Sequence, residues 1–390
     1  MRFLIAAFVL TLIVGLVVTL HMVAPAFAEP HSARLRALLA EFPDPGSDAR
    51  LEIEFSDLAA ARKHRLFEAD GTALEPGALS GRAMPQSLQM LALSDDAGMR
   101  QAVGFSLADV GQMAVLLAPP ARAMIVDLYP GAGAAVPAAL DGAGYAETVQ
   151  GGVTAWARGQ DLRPDFDAID QTDPFGAGLG MASRVQLADD RLLQASAWSL
   201  LSAMTAPGTP RLADAPLVSP LLDALDHVET NERLVAATIW TDARSLGALD
   251  PALLLGQQID PQVTAPEWPH FDMPALTWRS ALFADFTDGP TSTGVLVLTV
   301  ALPDAVMAAP LAERIATNWS SRPSALSGQS FAEMTGAEAE IRVEAADGEY
   351  WVVTLAATGA TEPAGFRSYG HVFRRLYEGA LSNDLVFLNL

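Results

Sequence analysis

One run of this chain, from Met124 to just past Ala197, leaves few folds open, because its hydrophobic period changes at fixed punctuation marks. Met124, Val126 and Leu128 alternate in the two-residue period of a strand. A loop carrying Gly131 leads into an alanine-rich helix over residues 132–143, and Gly144 is placed to end that helix in a left-handed conformation. Residues 148–150 and 153–157 flank Gly151 and Gly152, a two-glycine hairpin signal. Residues 179–188 and 191–196 flank Asp189 and Asp190 in the same manner, and a helix is expected after Ala197. The predicted order is strand, helix, hairpin, hairpin, helix.

A similar order returns later. Residues 295–301 read as a strand, 306–319 as a helix, and 339–344 with 350–356 as a hairpin turned at Asp347 and Gly348. Between the two units lie Pro261, Pro266, Pro269 and Pro274, too dense in proline for a helix or a central strand. The expected fold class is therefore α+β: duplicated ferredoxin-like (split β-α-β) units with antiparallel sheets, preceded by an N-terminal hydrophobic helix. The implied organisation is a leader over 1–28, a first lobe over 29–250, a proline-rich linker over 251–278 and a second lobe over 279–390.

Upstream of the first unit, Ser32 is placed to cap a helix whose Leu35, Leu38, Leu39 and Phe42 form one apolar stripe, which Pro43, Asp44, Pro45 and Gly46 end. Leu51, Ile53 and Phe55 then alternate with Glu52, Glu54 and Ser56, the period of a strand with one buried face. Residues 70–86, rich in Gly, Pro and Ala, read as a loop. The terminal 385–390 stretch is apolar enough for a strand that closes the sheet.

The chain opens with Met1 and Arg2, runs through an apolar segment over residues 3–20, and reaches Ala26, Phe27 and Ala28 ahead of Glu29. A basic residue, an apolar core and an A-x-A site are the parts of a secretory signal peptide. The core is longer than the roughly 7 to 15 residues usual for one, so an uncleaved inner-membrane anchor is the alternative. Arg2 would orient that anchor with the long C-terminal part outside. Either way the globular part is exported, soluble in the periplasm or tethered by residues 3–20.

With 51% hydrophobic and 18% charged residues among 390, the chain has ample material for a core. It has no cysteine, which excludes disulfides, thiolate nucleophiles and cysteine-ligated metal centres. The formal charge of −22 becomes −23 once Arg2 leaves with the leader. A field of that sign repels phosphates, so nucleic acid is not an expected partner and any membrane contact runs through the N-terminal segment alone.

A set of residues around the first unit carries a resemblance. Gly104, Phe105, Ala108, Asp109, Val110, Pro119, Pro120, Ala139, Leu140, Gly144 and Tyr145, with the later Asp189, Asp190, Arg191, Leu192, Leu193, Ala195 and Ser196, resemble secreted bacterial domains of unknown function. The similarity covers roughly residues 100 to 225. It implies paired ferredoxin-like lobes, often preceded by an anchor or a lipid attachment site, and brings no catalytic residues with it.

Motifs with a chemical reading are few. Asp165, Asp167, Asp170 and Asp173 offer the oxygen-rich loop that calcium requires, though without EF-hand spacing, and a solvated acidic connection is the competing reading. Gly176, Gly178 and Gly180 precede a predicted strand, whereas a phosphate cradle needs a helix N-terminus directly after the glycines. Ser330, in Gly328-Gln329-Ser330-Phe331-Ala332, sits one glycine short of a nucleophile elbow and would need one of His31, His64, His227, His270 or His371 beside it; an inert serine at a helix entry is the favoured reading. No pair of those histidines has metal-ligand spacing.

In the last helix Phe366, Tyr369, Phe373, Leu376 and Tyr377 share one face, and Arg367, His371, Arg374 and Arg375 the other. That basic face could dock an acidic partner or a carboxylate, or pair with the protein's own acids. The leading expectation is a non-enzymatic binding or interaction protein without a cofactor, an accessory or assembly factor with a protein partner in the periplasm or inner membrane. The alternatives are a carrier of an apolar ligand, prompted by a mean hydropathy of +0.24 and the aromatics Trp268, Phe271, Trp278 and Trp351, and a serine- or carboxylate-dependent hydrolase.

Overall fold

The computed structural model describes residues 29–46, 49–63, 96–169, 173–176, 180–244, 246, 276–288, 291–302, 304–346, 350–360 and 371–389. The leader, the 70–86 loop and most of the proline-rich segment lie outside these residues.

The described chain forms an α+β fold on one antiparallel sheet of twelve strands. In chain order the elements are α1 (Ala33–Leu39), β1 (Glu52–Asp57), α2 (Leu58–Lys63), α3 (Asp96–Val103), β2 (Val110–Ala118), β3 (Ala121–Leu128), α4 (Val136–Gly142), β4 (Ala146–Gln150), β5 (Val153–Arg158), β6 (Ser183–Ala188) and β7 (Arg191–Ala195). There follow α5 (Trp198–Thr205), α6 (Ser219–Asp226), β8 (Arg233–Trp240), β9 (Trp278–Thr287), β10 (Thr291–Val300), α7 (Ala308–Ser321), α8 (Phe331–Thr335), β11 (Ala339–Ala345), β12 (Trp351–Ala360) and α9 (His371–Leu381). Across the sheet the order is β11-β12-β10-β9-β8-β1-β2-β3-β7-β6-β5-β4.

The two expected units are therefore parts of one continuous sheet. β8 joins them, with Ala237 paired to Phe55 on one side and Ala284 on the other, and Ile239 paired to Ile53 and Leu282. In each half an inner strand leads through a helix to a strand farther out, and the chain returns inward: β3 through α4 to β4, β10 through α7 to β11.

Three apolar clusters cover the sheet. One face carries a single core under α1, α5 and α6, in which Leu35, Leu38, Leu39 and Phe42 are fully buried beside Ile53 and Phe55. Each such side chain contributes about 2 kcal/mol by leaving water. The opposite face carries two cores. One packs α2, α3 and α4 over the first half around Phe105, Val126 and Leu140, and the other packs α7, α8 and α9 over the second half around Phe283, Trp319 and Phe387.

The hairpin signals of the sequence hold locally. Gly151 and Gly152 take φ of +62° and +84° between β4 and β5, the left-handed pair that a two-residue turn demands. Asp189 turns β6 into β7 at φ +54°, and Gly144 ends the α4 segment at φ +82°.

Three expectations change. Ser32 stands at the N-cap of α1, but its hydroxyl and its N–H both donate to Asp226, at 2.8 and 2.6 Å, so it ties α1 to the end of α6 instead of capping. β1 is buried on both faces: Glu54, Ser56 and Asp57 are each at most 2% exposed, because β1 lies mid-sheet, with Ile53 and Phe55 in the core of one face and Tyr377 of α9 reaching Glu52 on the other. The 385–390 stretch adds no strand among the described residues. Val386–Leu388 is a 3-10 turn whose Phe387 enters the aromatic cluster of the second half, because its ring is buried there against Phe331 and Trp319. A full ferredoxin-like unit would place a fourth strand after its second helix, and here that turn occupies the place.

Candidate functional site

A groove runs between α6 and the outer face of the β11–β12 hairpin. Pro220 in the first turn of α6 presets the helical φ, and Leu221, Leu222, Ala224 and Leu225 bury the inner side of this helix while Asp223 stays outside. The hairpin alternates by the strand rule. Ile341, Val343, Val353 and Leu355 face α7 and the second-half core, so Glu340, Arg342, Glu344, Val352, Thr354, Ala356 and Thr358 must face the groove. Two adjoining hollows of about 560 and 290 Å³ share Ala224, His227 and Glu344.

The groove is acidic. Asp223, Glu229, Glu338, Glu340 and Glu344 line it against one arginine, Arg342. That guanidinium bridges Glu340 at 2.6 Å and Glu229 at 2.9 Å and donates to the carbonyl of His227 at 3.1 Å, tying the hairpin to the end of α6. Hydrogen bonding to Glu340 first, and to Glu229 next, pushes Arg342 above its ordinary value. Asp223 is met by Arg36 from α1 at 2.7 Å. Among the described residues Glu338 and Glu344 meet no cation. On the floor, the hydroxyls of Thr293 and Thr358 touch each other at 2.8 Å.

The residues singled out in the sequence are placed otherwise. Asp173 is buried and saturated: it accepts from Arg158 and the Tyr145 hydroxyl, both at 2.7 Å, and from the N–H groups of Phe175 and Gly176. Burial first, and the Asp173 charge next, raises Tyr145 well above its usual range. Asp165 accepts from the N–H of Asp167 and begins a 3-10 turn, and Asp170 lies outside the described residues. No cluster of three metal-ligating groups forms among the described residues.

Arg374 and Arg375 both turn to Glu378, at 2.6 and 3.8 Å, one turn along the same helix. His371 opens α9, and Arg367 lies outside the described residues. Ser330 caps α8: its hydroxyl accepts from the N–H of Glu333, whose carboxylate accepts from the N–H of Ser330. His31 packs edge-on against Phe286, and neither it nor His227 engages a serine among the described residues. Gly178 falls outside the described residues, and Gly180 leads into β6 with φ +60°. Trp278 and Trp351 enter the second-half core on either side of Val300, and Trp268 and Phe271 lie outside the described residues.

Sequence reasoning missed the groove, although Glu340, Arg342 and Glu344 alternate visibly. Their signal reads as the solvent face of a hairpin, and only the position of α6 shows that the face has a wall opposite it.

No family model and no curated protein matches the sequence. Among solved structures, the chain is similar to crystal form I of TP0453, with 10% identity and a TM-score of 0.36 over 91% of this chain and 98% of that one. Crystal form III of TP0453 aligns with 11% identity and a TM-score of 0.36 over 92% and 99%.

Proposed function

We propose that this chain is an exported, non-enzymatic interaction protein that receives a positively charged segment of a protein partner in the groove between α6 and the β11–β12 hairpin. The observation that carries the reading is the charge imbalance of the groove: five carboxylates line it, Arg342 and Arg36 answer three of them, and Glu338 and Glu344 meet no cation among the described residues. Like charges held close together raise the energy of the empty groove, and an entering lysine or arginine relieves it. The threonine floor offers hydrogen bonds to the backbone of the same segment.

Export follows from the opening residues. Residues 3–20 and the Ala26-Phe27-Ala28 site put the globular part in the periplasm, so the partner is a periplasmic or inner-membrane protein. We also read the two halves of the sheet as related copies of a split β-α-β arrangement. In support, β7 and β6 lie beyond β3 as β12 and β11 lie beyond β10, each set reached through a helix, with the β4–β5 hairpin interposed in the first half.

Hexalysine labelled with a fluorophore, titrated with the protein and read by anisotropy, tests the groove. Replacing Glu338, Glu340 and Glu344 by Gln should weaken binding about tenfold or more, as loss of facing charges does. Removing the same charge elsewhere, through Asp141→Asn, Glu147→Gln and Asp189→Asn, should weaken it less than about twofold at physiological salt, where distant charges are screened. Equal losses in the two variants would overturn the groove reading. Recovery of the native protein from the cytosolic fraction would overturn export.

A further inference from the structure

A separate cavity of about 350 Å³ lies where the described chain begins. Glu29, His31 and Arg34 line it together with Asp57, Glu232 and Arg233. Five of the residues around it carry charged side chains: Glu29, Asp57 and Glu232 against Arg34 and Arg233.

Asp57 is satisfied, since one oxygen takes Arg34 and the other accepts from the N–H of Ala60. Glu232 is not. It is 7% exposed, one oxygen accepts from the Thr291 hydroxyl, and its Oε2 is buried without a hydrogen-bond partner. Neither Arg34 nor Arg233 forms an ion pair with it. A carboxylate oxygen left dry and unpaired is costly, and a cation within reach relieves that cost.

The backbone beside this cavity is fixed at several points. The N–H of Ala33 donates to the carbonyl of Pro30 at 3.0 Å, and Ser32 is held by Asp226 through both its N–H and its hydroxyl. His31 stacks edge-on at 5.3 Å on Phe286. Glu29 is the residue that follows the A-x-A site.

We propose that this cavity is the receptor for the chain's own new N-terminus: removal of the leader after Ala28 creates an α-ammonium on Glu29 that pairs with the buried Glu232 carboxylate. Hydrolysis of the Ala28–Glu29 bond consumes one water. The hydroxyl goes to the Ala28 carbonyl carbon and the hydrogen to the Glu29 nitrogen, which takes a further proton near neutral pH. In the precursor the same nitrogen is an uncharged amide and offers Glu232 no charge. Processing therefore locks the α1 entry onto β8, in the manner of backbone sites that capture terminal amines.

The proposal rests on the export reading above, with the leader removed. N-terminal sequencing of the native protein separates the two: a first residue of Glu29 is required, and an uncleaved chain overturns the docking while leaving export through a retained anchor standing. The decisive measurement is thermal unfolding of the mature chain, residues 29–390, with its amine free or acetylated, each with Glu232 intact or as Glu232→Gln. With the amine free, Glu232→Gln should lower Tm by about 2 °C or more, the shift a partly buried ion pair produces in a chain of this size. With the amine acetylated, the same substitution should lower Tm less than about 0.5 °C, because the positive charge is already gone. Equal shifts in both forms, with Glu29 confirmed as the first residue, overturn the docking while leaving export intact.

Discussion

Replacing Phe387 by Ala should remove a substantial share of the stability of the whole molecule, although the residue stands near the end of the chain. Phe387 is fully buried; its ring lies 4.8 Å from that of Phe331 and 5.3 Å from that of Trp319, edge to face in both cases. Truncating a buried Phe costs about 3–5 kcal/mol in lost transfer energy and residual cavity. Two edge-to-face pairs at these separations place the value in the upper part of that range, about 4 kcal/mol, since each pair is worth about 0.5–1.5 kcal/mol beyond area. Relaxation is restrained, because the Asn318 amide holds the turn through the carbonyls of Phe387 and Asn389, at 3.2 and 3.1 Å. Domains are stable by only about 5–15 kcal/mol, so the loss is large. Guanidinium titration followed by tryptophan fluorescence reads it as a lower midpoint at unchanged slope, with Trp319 beside the cavity. Leu381→Ala, at a half-exposed position, is the control and should cost about 0.5 kcal/mol or less. A cost below about 1 kcal/mol for Phe387→Ala would refute the reasoning and make the C-terminal turn a peripheral attachment.

Gly294→Ala should cost about 1–3 kcal/mol, because a Cβ there would stand 2.5 Å from the Phe373 nitrogen and 2.8 Å from Val372 Cγ1, where α9 lies directly on β10; an unchanged midpoint in urea would show that the helix can shift freely. The hydrogen bond from Arg244, aided by its charge and that of Arg50, holds Asp242 down at about 2, below its unfolded value. Its stabilisation is therefore complete above pH ~4 and disappears as the pH falls toward 2, so Asp242→Asn should flatten the stability profile over that window. Parallel profiles for the two proteins would show that the Arg50–Asp242–Arg244 set contributes nothing.

The parts of the fold legible in sequence are those whose signals are local. The β4–β5 turn is written by two glycines, the β6–β7 turn by an Asp pair, and the β11–β12 hairpin by alternation on both arms, because each depends on backbone conformation within a few residues. No alternation marks β2, β8 and β9 as strands. They lie inside the sheet with both faces covered, so their apolar runs lack the alternation that identifies a half-buried strand. Glu54 misleads in the reverse direction: the alternation around it marks two faces correctly, but a glutamate does not reveal that its strand lies mid-sheet with α9 reaching the same face at Glu52. The groove was unreadable for a similar reason, since Glu344 and Asp223 meet across it from positions 121 residues apart. Ser330 was legible as a serine at a helix entry, and the capping box with Glu333 is that reading made local: a serine three residues before a glutamate satisfies the first turn.

The placement of β8 also decides how this protein can move. Two-lobed binding proteins commonly close around a ligand by rotating about a few linker residues, but here the halves share ladders along β1–β8–β9, and separating them would strip whole rows of main-chain bonds. Clamshell motion is thereby forbidden to the folded chain. A guest must instead be met by small adjustments at the rim, where the β11–β12 hairpin is the terminal pair of strands on its side of the sheet, or by a change in twist spread over all twelve strands.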